Sequence, residues 1–158
     1  MKITEHIGDI TDVTRGLIIH GCNAQGVMAS GVAKAIRDKF PTAYQTYIKR
    51  YASGLISPLN LGTYHVVPIT DELAVVNAIT QENYGRDGQR FASYDALHKA
   101  FSNLLHKNNW PDNVPRDLHF PLIGCGLGGC DWRIVEQIIL VAAEKQSFPG
   151  TLNLWILE

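Results

Sequence analysis

An excess of charge of either sign is what this chain most conspicuously lacks. Fourteen Lys and Arg stand against fifteen Asp and Glu, a formal net charge of −1 over 158 residues, so the composition offers no basic stripe for a nucleic-acid backbone or an anionic membrane. Recognition of phosphate must then be local and small. Long apolar runs are missing too: none approaches the ~18 residues of a membrane span, and Met1-Lys2-Ile3-Thr4-Glu5-His6 places charge where a signal peptide needs its apolar core. Three cysteines, Cys22, Cys125 and Cys130, make an odd number and hold no Cys-x-x-Cys pair, which suits neither a disulfide framework nor a zinc ribbon. His6, His65, His98, His106 and His119 lack metal-ligand spacing. We expect a soluble, reducing, cytoplasmic setting, with no metal, no cofactor and no sequence-specific nucleic-acid partner. No Gly-x-x-x-x-Gly-Lys-Ser/Thr occurs either, which argues against a P-loop nucleotidase.

What the chain does have is 46% apolar residues, enough for one domain over 1–158 with a real core. It also has two glycine-rich loops, His20 to Gly31 and Pro121 to Asp131. Each follows a short apolar run and leads into a helical pattern. Leu17-Ile18-Ile19-His20 reads as a buried strand that ends where the first loop starts. From Gly31 the spacing of Val32, Ala33, Ile36 and Phe40 predicts a helix, which Pro41 stops while opening the next. Gly62 to Val67 and Leu73 to Ile79 read as a hairpin with Pro68 to Glu72 as its turn. Ser93 caps a helix carrying Tyr94, Leu97, Phe101, Leu104 and Leu105. Leu118 to Ile123 is the strand feeding the second loop; a helix over Trp132 to Ala142 and a strand over Thr151 to Leu157 follow. Strands alternating with helices imply an α/β fold, a sheet flanked by helices on both faces, with ligand at the carboxyl ends of the strands. Both glycine loops fall at such ends, where backbone N–H groups and helix N-termini suit a phosphate clamp.

Gly124-x-Gly126-x-x-Gly129 matches the dinucleotide fingerprint literally, but one strand alone follows it and the acidic residue about 20 positions on is missing. The ordered set Gly8-Asp9-Ile10-Thr11, Ile19 to Met28, Ser30-Gly31-Val32-Ala33, Asn83 to Gly88 and Pro121 to Leu127 instead resembles a macrodomain, over essentially the whole chain. The resemblance is strongest to the branch with ADP-ribose-1″-phosphate phosphatases and small bacterial and phage macrodomains. It implies a three-layer α/β/α fold with a central mixed sheet of about six strands, and ADP-ribose or a derivative such as ADP-ribose-1″-phosphate as ligand, free or on ADP-ribosylated macromolecules.

Residue by residue, the resemblance implies that Asp9 takes the adenine amino group with help from the Ile10 backbone. Asn23 lies beside the distal ribose and orients it, as the second catalytic residue with His20. Gly26, Val27, Met28, Ser30, Gly31 and Val32 surround the ribose and diphosphate, and the backbone of Gly124, Cys125, Gly126, Leu127 and Gly128 closes over the diphosphate. His20, ending an apolar strand, reads equally as a packed core residue and as a catalyst; phosphatase-like members favour the catalyst, a base or nucleophile toward the phosphoryl group. Cys22 and Cys125 read as packing residues, and Asn77 has no assignment. Arg86 or Arg90 suits a terminal phosphate through its planar fork. A neighbouring branch of ADP-ribosyl hydrolases carries an acidic residue just after Gly-Cys-Gly-Leu and a lysine after the central strand. Here Gly128 holds the first position, and Ile79 to Asn83 has no lysine. The expected function is phosphate removal from ADP-ribose-1″-phosphate. The alternatives are a non-catalytic ADP-ribose reader and a hydrolase freeing ADP-ribose from protein, nucleic acid or acetylated sugar. A nucleic-acid-binding module built on Trp110, Tyr84 and the Arg86 to Arg90 loop is disfavoured by the charge balance.

Overall fold

The computed structural model describes residues 1–29, 31–53 and 59–157. Ile3–Ile7 (β1), Gly16–Asn23 (β2), Tyr64–Thr70 (β3), Leu73–Gln81 (β4), Asp117–Phe120 (β5) and Thr151–Ile156 (β6) form one sheet in the order β1-β6-β5-β2-β4-β3. Neighbours are parallel except the β3–β4 hairpin. Gly31–Lys39 (α1) and Pro41–Ala52 (α2) cover one face, Tyr94–Leu104 (α3) and Trp132–Lys145 (α4) the other. This is the sheet flanked by helices on both faces that the alternation of elements implies, and the three-layer α/β/α arrangement with a mixed six-stranded sheet that the resemblance implies.

β2 and β4 sit inside the sheet and are buried on both faces, which is why they read as continuous apolar runs. Alternation then sorts their side chains. Leu17, Ile19 and Val76 meet the α3/α4 layer with Leu97, Phe101, Val135 and Ile139, while Ile18 and Val75 meet Ile36 and Ala43. Full burial of one such side chain contributes about 1.5–3 kcal/mol, so these two strands anchor the sheet.

Several boundaries differ from expectation, and one matters for chemistry. β3 continues through Pro68 to Thr70; it is an edge strand, where a residue without an N–H is tolerated, and its register shifts there. β5 stops at Phe120, because Pro121 cannot donate to the ladder and Ile123 N–H turns back onto the Pro121 carbonyl at 2.7 Å. β2 runs on through Gly21 and Cys22, paired with Ala78 and Ile79, to Asn23. His20 therefore lies inside the sheet and not at the mouth of a loop.

Candidate functional site

Because β1, β6, β5, β2 and β4 run the same way, their carboxyl ends line up along one edge, and a cleft of 570 Å³ opens over them. Its wall follows the sheet order: Trp155 to Leu157 at the end of β6, Pro121 to Gly128 beyond β5, His20 to Asn23 with Val27, Ala29 and Gly31 to Ala33 at the end of β2, then Thr80, Gln81 and Tyr84 to Arg86 at the end of β4. Three strand spacings, about 14 Å, separate β6 from β4. The cleft is thus an elongated trough across the sheet ends.

The first loop is held from behind. Asn23 Oδ1 accepts from Gln25 N–H at 2.9 Å and from the Tyr47 hydroxyl at 2.9 Å, and its Nδ2 donates to the Val27 carbonyl at 2.8 Å. Tyr47, fully buried, also reaches the Asn23 carbonyl at 2.6 Å and accepts from Val27 N–H at 3.1 Å. Gly26 bends the chain with φ +78°, and a Cβ there would lie 2.7 Å from the Tyr51 ring. Tyr47→Phe is expected to cost about 1–2 kcal/mol, since it strands the buried loop groups its hydroxyl serves; urea denaturation measures it.

The second loop is pinned through its carbonyls. Gly128 O accepts from Phe91 N–H at 2.8 Å and Ala92 N–H at 3.0 Å, and Gly124 O accepts from Cys130 N–H at 2.9 Å. Asp131 caps α4 with its carboxylate on Arg133 N–H, just as Ser93 caps α3.

Not every expected residue reaches the cleft. His20, Asn23, Val27, Gly31, Val32 and Gly124 to Gly128 line it. Met28 does not: it is 1% exposed and packs with Cys22, Tyr47 and Ile79. Gly26 is outside the wall, Ile10 buries its side chain beside Ile18, and Ser30 lies outside the described residues. Asp9 is not in the wall either; the Gly8 before it gives its N–H to the Ile156 carbonyl at 2.9 Å and lies against the Trp155 ring. Asp9 Oδ1 takes the Thr11 N–H and hydroxyl at 2.9 and 2.7 Å, and these bonds hold its carboxyl below the usual carboxylate range.

His20 lines the cleft but is deeply set. Its imidazole, on the α1/α2 face, is 1% exposed and meets Asn77 Oδ1 at 2.6 Å. The Asn77 amide donates to the Ala43 carbonyl, so Oδ1 must accept from His20 Nε2–H. That bond fixes the neutral tautomer, and the other ring nitrogen has the Cys22 thiol at 3.9 Å as its neighbour. Burial holds the ring's pKa down to about 4, against the smaller opposing effect of Asn77. A ring so tied is a poor base and a poor nucleophile; of the two readings, the packed core residue fits it. Asn77, unassigned from sequence, is the clasp between β2, β4 and α2.

The thiols are equally quiet. Burial pushes Cys22 far up and Cys125 up to about 11, and all three cysteines are free. Among the described residues no three His, Cys, Asp or Glu side chains gather where they could hold a metal ion. The described wall contains no carboxylate and no lysine; Arg86 is its one formal charge, and no ion pair is formed by it among the described residues.

A Macro domain family model matches residues 19–139. The chain is a macrodomain. An ADP-ribose 1″-phosphate phosphatase of Aspergillus clavatus is 37% identical over 68 residues, 42% of this chain and 34% of that protein. A DNA ADP-ribosyl glycohydrolase of Thermus aquaticus is 23% identical over 151 residues, 96% of this chain and 39% of that protein. The matches thus span little more than a third of those curated relatives. Among solved structures, Thermosipho africanus DarTG in complex with ADP-ribose superposes with a TM-score of 0.77 at 16% identity, covering 100% of this chain and 43% of that one.

Two parts of this macrodomain's site escaped the sequence reading. Tyr47 sits on the apolar side of its helix, so periodicity marks it as core and says nothing of its hydroxyl. Trp155, Ile156 and Thr80 fall at strand ends, a position that could have flagged them. Asp9→Ala is expected to cost about 1 kcal/mol through the lost cap of the turn at Ile10–Asp12; urea denaturation measures it.

Proposed function

We propose that this macrodomain binds ADP-ribose derivatives along the trough and hydrolyses the phosphate from ADP-ribose-1″-phosphate. The order of chemical features across the sheet ends carries this reading. A carboxylate and an indole at the β1/β6 edge suit adenine. Two glycine-bearing loops and the start of α1 follow, where N–H groups suit a diphosphate. The one cation of the described wall, Arg86, comes from the loop that follows β4 and suits a terminal phosphate. Adenine, diphosphate and a distal phosphorylated sugar have that same order. The Aspergillus clavatus relative supports the phosphatase assignment by name.

Phosphoryl transfer asks a protein mainly for positioning and charge stabilisation. In the proposed step a water oxygen bonds to phosphorus as the bond from phosphorus to the sugar oxygen breaks, and the sugar oxygen takes up a proton as water gives one up. Arg86 and the loop amides stabilise the phosphoryl oxygens. His20 holds β2 in place and handles no proton.

Phosphorus NMR of ADP-ribose-1″-phosphate tests the proposal in one tube. Loss of the monoester signal with growth of inorganic phosphate is expected; shifted diphosphate signals without turnover would make the protein a reader, and no change would overturn the site. His20→Gln, which keeps an N–H donor for Asn77, is expected to leave turnover within a few-fold. A loss of 10² or more, the usual worth of a general base, would return His20 to the chemistry.

The Thermus aquaticus alignment runs along nearly the whole chain and favours a second reading, release of ADP-ribose from DNA. Gly128, where the resembling hydrolases carry an acidic residue, and the segment Ile79 to Asn83, which has no lysine, count against it. Free ADP-ribose appearing from ADP-ribosylated DNA would decide for it.

A further inference from the structure

Thr80 is 1% exposed, belongs to the cleft wall, and its Oγ1 has no hydrogen-bond partner among the described residues. Its backbone, by contrast, is engaged: the carbonyl accepts from Ser93 N–H at 2.7 Å. A buried hydroxyl with neither donor nor acceptor bond is costly to keep, and native structures seldom do so without a reason. A β-branched side chain near a strand end is also stiff at χ1, so the hydroxyl cannot easily turn elsewhere.

Its surroundings show how the space is kept. A Cβ placed on Gly21, itself in the cleft wall, would lie 2.7 Å from Thr80 Oγ1 and 3.5 Å from Ile123 Cγ1. Any side chain at position 21 would therefore cover the hydroxyl or displace it. Gly21 is in mid-strand and has no left-handed φ, so backbone conformation does not demand glycine there. The room beside the Thr80 hydroxyl does.

We infer that the Thr80 hydroxyl is a hydrogen-bonding contact for the sugar at the β4 end of the trough, which supplies the partner that the described side chains and backbone do not. This rests on the reading above, in which the β4 end takes the distal sugar and not adenine. A hydroxyl can both donate and accept, which suits a polyol better than a phosphate, for which Arg86 lies close along the chain.

Calorimetry with ADP-ribose and with ADP, which lacks the distal sugar, tests this on wild type, Thr80→Val and Thr80→Ser. Valine keeps the shape and removes the hydroxyl. Thr80→Val is expected to melt at or above the wild-type temperature, because it deletes an unmade bond, yet to bind ADP-ribose at least fivefold more weakly; ADP binding stays unchanged, and Thr80→Ser stays within twofold of wild type for both. Unaltered ADP-ribose affinity in Thr80→Val, or an equal loss for ADP and ADP-ribose, would overturn the inference while leaving the cleft assignment standing. A wild-type protein that binds neither nucleotide would overturn the cleft assignment, and this contact with it.

Discussion

His20→Ala is expected to cost about 3 kcal/mol or more, from the cavity left between β2 and α2 and from the Asn77 Oδ1 it leaves buried and unpaired. Acid should do similar damage to the intact protein. The folded pKa of His20 is about 4 and the unfolded value 6.5, so above pH 6.5 both states hold the ring neutral and its contribution is complete. Below that the unfolded chain binds a proton that the folded chain refuses. Stability then falls at about 1.4 kcal/mol per pH unit, a loss of about 3 kcal/mol by pH 4. His65, whose pKa is held to about 4 by burial and then by Arg50, titrates in the same sense. Urea unfolding at pH 7.5 and pH 4.5 checks this: His20→Gln should show a visibly shallower acid loss than wild type. An equal acid loss in both would mean that the ring is not buried neutral.

The same histidine shows where the sequence was legible and where it was not. Strand and helix periodicity located every layer, because β2 and β4 are apolar on both faces and each helix carries one clear stripe. The hairpin, the Ser93 cap and the proline opening α2 were equally local. His20 was misplaced because Gly21 looks like the start of a loop, whereas pairing with Ala78 carries the strand three residues further. That pairing is a contact across 57 residues, and nothing local announces it. Met28 shows the reverse failure: it lies in a glycine loop, yet turns inward under Tyr47. Glycine loops reveal that a backbone approaches something; they do not reveal which of their side chains face it.

The near-zero net charge of the composition and the single formal charge in the described cleft wall are one design at two scales. A trough with one guanidinium and no described carboxylate or lysine must bind anions chiefly through N–H groups, whose positions are set by loop geometry and not by flexible side chains. Affinity should therefore respond more sharply to glycine substitutions than to removal of surface lysines.

Gly126 and Gly128 separate that claim from simple packing. A Cβ at Gly128 would lie 2.6 Å from the Gly124 carbonyl and 3.1 Å from Ala92 Cβ, whereas one at Gly126 meets nothing within 4 Å. The backbone around Gly128 cannot yield without breaking the bonds from Phe91 and Ala92 N–H to its carbonyl. Gly128→Ala is thus expected to lower stability by about 1–3 kcal/mol and to weaken ADP-ribose binding at least tenfold. Gly126→Ala should leave the melting temperature unchanged, since its methyl enters open space in the empty protein, and yet weaken binding, since that space is the trough. The same geometry bears on the missing acidic residue. A carboxylate at position 128 has no room beside the Gly124 carbonyl, so this loop is built for glycine there and Gly128→Asp should distort it before supplying any chemistry. Calorimetry and thermal melts on the three variants decide the matter: a Gly128→Asp protein that melts like wild type would show that the loop is less tightly pinned than its hydrogen bonds require.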